Sequence, residues 1–265
     1  MKNKLASILH FLDRDFTLSK RQVLFAFLAL LIIGAGLRCS YWTMRDRPPL
    51  DENLYIQAVE KMTKNDDSWR KDYDSGTLMP ILAANVSKLG IKPETALHML
   101  NMGYAMLWVL VMFFLCRDVF DDDKAGLLGM SLAAFNPYSV RLSSQILREP
   151  LYILIFTLSL WCALRFIENK KYYLYPAMLG MLTILGFFVR YEGIEISLFL
   201  PLAIFVIFIQ YKMQYVRVCV YSFAAYLLSV GLLVGALVNF NNSYMCNASQ
   251  KAVGYFELFT GNRVK

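Results

Sequence analysis

Long apolar runs, separated by short polar segments, limit how this chain can fold more than any other feature of its sequence. The first run extends from Val23 to Tyr41 and contains one charged residue, Arg38. A helix needs about 20 apolar residues to cross the hydrocarbon of a bilayer. Six further runs follow at 96–116, 125–138, 151–166, 173–189, 194–209 and 218–238. The sequence therefore predicts an all-α, polytopic membrane bundle of about seven transmembrane helices, of which 125–138 is the shortest.

Composition supports the same class and excludes others. Hydrophobic residues make up 57% of the 265 residues and charged residues only 18%. Ordinary soluble domains are about 45–50% apolar, so this composition excludes a disordered chain, a coiled coil and nearly every soluble enzyme. The net charge is +7, but the basic residues flank apolar runs, as they do in oriented membrane proteins. We therefore expect membrane lipids as partners and no nucleic acid.

The distribution of lysine and arginine predicts an orientation and a division of the chain. Basic residues concentrate before the first run and in alternate loops, which places the N-terminus in the cytosol. Residues 1–21 are then a cytosolic arm, 22–240 a transmembrane module, and 241–265 a short outer tail. Within the module, 43–93 forms a long first outer loop.

The outer loop has the pattern of two amphipathic helices. In DENLYIQAVEKM, which begins at Asp51, apolar residues recur at the spacing of one helical face. MPILAANVSKLG gives a second helix, which Gly90 should end. Loops of this length in a compact protein usually carry structure or function. We therefore expect both helices to lie against the outer membrane face.

Seven ionisable residues fall at one leaflet under this topology, and they are the candidate site. Each group also has a simpler structural explanation. Two acids at a helix N-terminus stabilise its dipole, arginines beside a span snorkel to the surface, and a turn can carry an interfacial ion pair. Taken together, ionisable groups at membrane depth are costly and tend to mark function. The residues are Asp51, Glu52, Arg141, Arg148, Glu149, Arg190 and Glu192.

An ordered set of motifs from Arg38 to Ile209 resembles a known family. The motifs are GLRCSY, DENLY, GTLMPILAANVSKLG, LCRDVFDDDKAG, NPYSVRLSSQILREPLY and GFFVRYEG. Each motif alone is weakly specific, but together they constrain both topology and the position of the acids. In this order the chain resembles the GT-C membrane glycosyltransferases, in particular the family of protein O-mannosyltransferases and bacterial lipid A aminoarabinose transferases. It looks like the N-terminal membrane module of that family, whose members usually have more spans and a soluble C-terminal domain.

The resemblance implies a transferase that takes a sugar from a polyprenyl-phosphate donor and gives it to a lipid, glycan or protein acceptor. It gives Asp51 as the catalytic base, with Glu52 supporting it. Glu149 corresponds to the acid of the second outer loop. Arg190 is the first candidate for binding the donor phosphate and Arg141 the second. Arg148 and Glu192 complete the expected substrate-binding group.

Several alternatives stay open at this point. A divalent cation could be held by Asp51 and Glu52, and no other cofactor is expected. A transporter or lipid flippase is the main competing function, although its charges would be expected nearer the bilayer midplane. An inactive fragment, or one subunit of a split enzyme, is the third. The protein would lie in the plasma or inner membrane of a bacterium, or in the endoplasmic reticulum of a eukaryote.

Overall fold

A computed structural model describes residues 18–44, 52–66, 68–69, 78–168, 174–211 and 216–238. Within these ranges the regular structure is entirely helical, and no strand occurs. The predicted all-α membrane bundle is therefore confirmed. Most of the N-terminal arm, the tail 241–265 and Asp51 lie outside the described residues, so the predictions made for them stay predictions.

The described helices follow the predicted order. Those of the first half are α1 (Lys20–Thr43), α2 (Glu52–Thr63), α3 (Leu78–Ser87), α4 (Pro93–Phe120), α5 (Asp123–Phe135) and α6 (Pro137–Ser144). Those of the second half are α7 (Glu149–Glu168), α8 (Leu174–Val189), a 3-10 helix (Tyr191–Leu198), α9 (Phe199–Tyr211) and α10 (Val216–Val238).

Among the described residues, four helical segments are long and apolar enough to cross a membrane: α1, α4, α7 and the continuous stretch Glu192–Ile209. Three shorter apolar helices accompany them, at Leu78–Ser87, Leu174–Val189 and Arg217–Leu232. The predicted third span is the short helix α5, whose 13 residues reach only about 20 Å. Large apolar side chains point outward from the bundle, for example Phe25 with 76% of its surface exposed. Such a surface suits lipid and not water.

Local signals explain where several helices begin and end. A capping box between Ser19 and Gln22 starts α1 at Lys20, three residues before the predicted Val23. The Asn136 side chain accepts hydrogen bonds from the backbone N–H groups of Tyr138 and Ser139, and so caps α6. The chain therefore breaks between α5 and α6, as the Asn-Pro pair predicts.

The predicted span 194–209 falls within the long apolar segment Glu192–Ile209, but the type of helix changes along it. It begins as a 3-10 helix and becomes α-helical only at Phe199. Two glycines approach closely at its start, since a Cβ on Gly193 would lie 2.1 Å from the carbonyl carbon of Gly186. The chain thus turns back tightly on the end of α8.

The two loop helices pack onto the bundle and share one apolar core with it. Val59 of α2, Ala83 of α3 and Leu97 of α4 are all completely buried, and Ile146 joins them from the linker between α6 and α7. The amphipathic helices predicted in the outer loop are therefore present, and their apolar faces are covered by the bundle. This core lies at the end of the bundle formed by the end of α1, the starts of α4 and α7, and the end of α8. We call it the site end.

Candidate functional site

An ion triad of Glu149, Arg190 and Glu192 lies at the site end. The Arg190 Nε and Nη2 atoms donate to the two carboxylate oxygens of Glu192 at 3.3 and 3.1 Å. Its Nη1 atom donates to Glu149 Oε1 at 3.3 Å. Glu149 opens α7, and the other two residues flank the start of the 3-10 helix. The structure thus brings three of the seven candidate residues into direct contact, although 41 residues separate Glu149 from Arg190.

Tyr152 completes the surroundings of this triad, and the sequence did not single it out. The Arg190 guanidinium carbon lies 5.6 Å from the centre of the Tyr152 ring, a cation–π distance. The Tyr152 hydroxyl donates to the Glu192 backbone carbonyl at 3.4 Å. The hydrogen bonds to Glu192 raise the pKa of Arg190, and the negative charge of Glu149 adds to this effect. Arg190 is therefore a permanent cation held between an aromatic face and two carboxylates.

Glu149 has an unused oxygen. Its Oε2 atom is buried and has no hydrogen-bond partner among the described residues. Its other oxygen accepts from Arg190. Buried polar atoms are nearly always paired, so an orphan acceptor in a candidate site is notable. A hydroxyl group of a ligand could supply the missing donor.

Glu52 begins α2 and is almost completely buried, with 1% of its surface exposed. Its Oε1 atom accepts a hydrogen bond of 2.8 Å from the backbone N–H of Ile146. Ile146 precedes Glu149 by three residues, so this bond fixes the start of the outer-loop helix beside the chain that leads to the triad. Asp51, the neighbour of Glu52 in sequence, lies outside the described residues.

Arg38 is a fully buried cation near the end of α1. It is the single charged residue of the first apolar run, and it was not among the candidate site residues. Its guanidinium donates to the carbonyl oxygens of Ala133 and Ala134 at 3.3 and 3.2 Å, and to Ser139 Oγ at 3.0 Å. It also donates to the Gly34 carbonyl of its own helix. The two alanine carbonyls belong to the last turn of α5, where unpaired carbonyls and the helix dipole both attract a cation.

Arg141 and Arg148 have no hydrogen bond or ion pair with the triad in the described part of the chain. Arg141 is exposed on α6, and no ion pair connects its side chain to another residue of the described ranges. Arg148 is half-buried, and its positive charge acts on Glu192. A group of three or more metal-binding side chains is absent from the part of the chain that the structure describes. Because Asp51 is not part of that set, the cation at Asp51 and Glu52 stays a prediction.

The opposite end of the bundle carries a separate cleft of about 1060 Å³. Asp118 anchors its wall, because its carboxylate accepts from Arg165 at 2.6 Å, from the Trp161 indole at 2.6 Å and from Arg117 at 3.3 Å. This network ties the end of α4 to the end of α7. We interpret it as a structural lock between two long helices.

Comparisons with known proteins do not place the chain. No protein-family model matches the sequence, and no curated protein matches it. The GT-C resemblance therefore stays a prediction, and the candidate function is inferred from the residues and their geometry.

Proposed function

We propose that this protein is an integral-membrane glycosyltransferase that moves a sugar from a polyprenyl-phosphate donor to a lipid, glycan or protein acceptor at the outer membrane face. The observation that carries this proposal is the ion triad, in which a permanent cation sits between two carboxylates at one end of a lipid-facing bundle. Such a site combines a binder for an anionic headgroup with acids that can accept or orient a hydroxyl group.

The geometry of the hydrogen bonds between Glu192 and Arg190 supports a phosphate as a ligand of the Arg190 guanidinium. Glu192 occupies the Nε–Nη2 edge of the guanidinium with both oxygens, which is also the edge that a phosphate binds in a fork. The Glu192 side chain is 44% exposed, so a ligand can reach this pair from the surface. In our proposal the donor phosphate replaces Glu192 on Arg190, while Glu149 keeps the remaining nitrogen in place.

The proposed step is a direct substitution at the anomeric carbon. The acceptor oxygen forms a bond to that carbon while the bond from the carbon to the phosphate oxygen breaks, and the electron pair leaves with the phosphate. The hydroxyl proton passes to Asp51, the base that the resemblance implies. Phosphate is a weakly basic leaving group and needs no general acid, so Arg190 stabilises its charge electrostatically.

The proposal includes a topology. The N-terminus lies in the cytosol, the chain crosses the membrane about seven times, and the site end faces outward. The separation of charges agrees with this arrangement, since the triad lies at one end and the Asp118 network at the other. The last turn of α5 contacts Arg38 near the end of α1. In this topology α5 and α6 together make the third crossing. The membrane is the plasma or inner membrane in a bacterium, or the endoplasmic reticulum in a eukaryote.

Donor binding tests this proposal directly. The purified protein in nanodiscs is titrated with a polyprenyl-phosphate sugar, and binding is compared between the wild type and variants of the triad. We expect Arg190→Ala to weaken binding by about 10–100-fold, because charge-assisted hydrogen bonds contribute about 1.5–3 kcal/mol. Arg190→Lys should recover part of the loss. Glu192→Gln should bind the donor more tightly than the wild type, because a neutral amide competes less well for the guanidinium.

The control is Arg217→Ala, which removes an exposed arginine from the start of α10. It should bind the donor as the wild type does. Equal binding by wild type and Arg190→Ala would contradict the proposed donor site. Donor binding followed by movement of the intact lipid across the bilayer, with no sugar transfer, would instead favour the flippase.

A further inference from the structure

One peptide group in the linker between α6 and α7 is held from both sides by side chains of other helices. The N–H of this group belongs to Ile146 and donates to Glu52 Oε1 at 2.8 Å. Its C=O belongs to Gln145 and accepts from the Asn101 Nδ2 atom. The carboxylate comes from α2 and the carboxamide from α4. A single peptide unit thus joins the outer loop, the long helix α4 and the linker.

Burial makes these two contacts important. Asn101 and Ile146 are completely buried, and Glu52 is nearly so. A peptide group outside regular structure and away from water must find partners, and leaving one of its groups unpaired costs free energy. The Gln145 carbonyl also accepts from the backbone N–H of Leu147 at 3.0 Å, whereas the Ile146 N–H donates to Glu52. The linker therefore takes its position from Glu52 and Asn101.

The linker leads directly into the ion triad. Glu149, which contacts Arg190, follows Ile146 by three residues and opens α7. Successive Cα atoms are about 3.8 Å apart, so a shift of the clamped peptide moves Glu149 with little room for compensation. The clamp is thus placed to set the distance between Glu149 and Arg190.

We propose that Glu52 and Asn101 are a pair of positioning residues, which hold the Gln145–Ile146 peptide and thereby orient Glu149 towards Arg190. Glu52 acts as a hydrogen-bond acceptor for the backbone. Only the activity readout of this inference rests on the proposed function, because the clamp itself can be measured without a substrate.

Four variants separate the acceptor role from an acidic role. Glu52→Gln keeps a carbonyl oxygen for the Ile146 N–H and removes the charge, whereas Glu52→Leu removes the acceptor. Asn101→Asp replaces the Nδ2 donor that faces the Gln145 carbonyl by a carboxylate acceptor. Asn101→Leu removes this donor and puts no polar group in its place. Glu60→Gln is the matched control, because Glu60 lies exposed on the same helix as Glu52.

The first readout is hydrogen exchange of the intact protein in nanodiscs, followed for a peptide that covers residues 142–152. We expect exchange at the Ile146 amide to rise by about tenfold or more in Glu52→Leu and in both Asn101 variants. Exchange in Glu52→Gln and Glu60→Gln should match the wild type. Unchanged exchange in Glu52→Leu and Asn101→Leu would overturn the clamp, whether or not the protein transfers a sugar. If Glu52→Leu does not fold, Asn101→Leu decides this test.

The second readout is sugar transfer from a polyprenyl-phosphate donor, measured as kcat and KM. A positioning role predicts that Asn101→Leu lowers kcat more than it changes KM, because Glu149 is then held less firmly towards Arg190. A loss of kcat in Glu52→Gln with normal exchange would show that the reaction needs the charge of Glu52, and would overturn a role limited to positioning. A wild type that transfers no sugar would contradict the proposed function. The positioning role of Glu52 and Asn101 would then be tested by the exchange measurement alone.

Discussion

The close approach of Gly186 and Gly193 gives a prediction whose size follows from the structure. A Cβ on Gly193 would lie 2.1 Å from the carbonyl carbon of Gly186 and 2.4 Å from the backbone nitrogen of Phe187. Both neighbours are backbone atoms at the end of α8, so they cannot swing aside as a side chain could. In Gly193→Ala the 3-10 helix must therefore separate from α8.

Overpacking of this kind costs about 1–3 kcal/mol, and we expect the upper part of that range because backbone must move. One kcal/mol lowers Tm by about 2–4 °C in a chain of this size, so Gly193→Ala should melt about 4–12 °C below the wild type. The matched control is Gly36→Ala. A Cβ at this helical position meets nothing within 4 Å, and alanine is favoured over glycine there by about 0.5–1 kcal/mol.

Unfolding can be followed in detergent with a dye that becomes fluorescent on reaction with a thiol. Cys162 is a free cysteine with 1% of its surface exposed, so it reacts only after unfolding. Cys39 is exposed and Cys116 and Cys219 are partly exposed, so these three and Cys246 should be replaced by serine in every variant. Donor binding is the second readout, because displacement of the 3-10 helix separates Arg190 from Glu149. A Tm of Gly193→Ala equal to that of Gly36→Ala would refute the tight turn.

Two further predictions concern the other end of the bundle and the topology. Asp118→Asn should lower the free energy of unfolding by about 1–3 kcal/mol, because Arg165 and the Trp161 indole lose a charged acceptor. A lower thermal midpoint would show this loss, and the control Glu60→Gln should keep the wild-type midpoint. In a background without native cysteines, Leu89→Cys should react with an impermeant reagent added outside intact cells, whereas Phe120→Cys should react only after permeabilisation. The reverse labelling would place the ion triad in the cytosol.

The helices themselves could be predicted closely from the sequence. The apolar runs predicted α4, α7 and α10 within a few residues of their observed ends, because the length and composition of such runs indicate helices. The break between α5 and α6 also has a local explanation, because Asn136 caps α6 and Pro137 cannot continue α5. These features need only neighbouring residues for their explanation.

The contacts that build the site could not be predicted in the same way. Glu52 meets Ile146 across 94 residues, and Arg38 meets Ser139 across 101. No local pattern specifies such pairs, because they depend on how the helices pack. The sequence did place Glu149, Arg190 and Glu192 at one leaflet, but which carboxylate contacts which guanidinium atom depends on the turn at Gly193. The single charge within the first apolar run was the one available signal for Arg38.

Sugar transfer by Asp51→Asn is the decisive measurement for the proposed catalytic base. Purified wild type and variant are given a labelled polyprenyl-phosphate sugar and a membrane extract as the source of acceptors, and transferred label is counted. Asparagine caps a helix as well as aspartate does but cannot accept the proton, so turnover should fall by about 10²–10⁴ while donor binding stays unchanged. Asp66→Asn is the control, since Asp66 is exposed in the same loop. Full activity in Asp51→Asn, or no transfer by the wild type, would contradict the account.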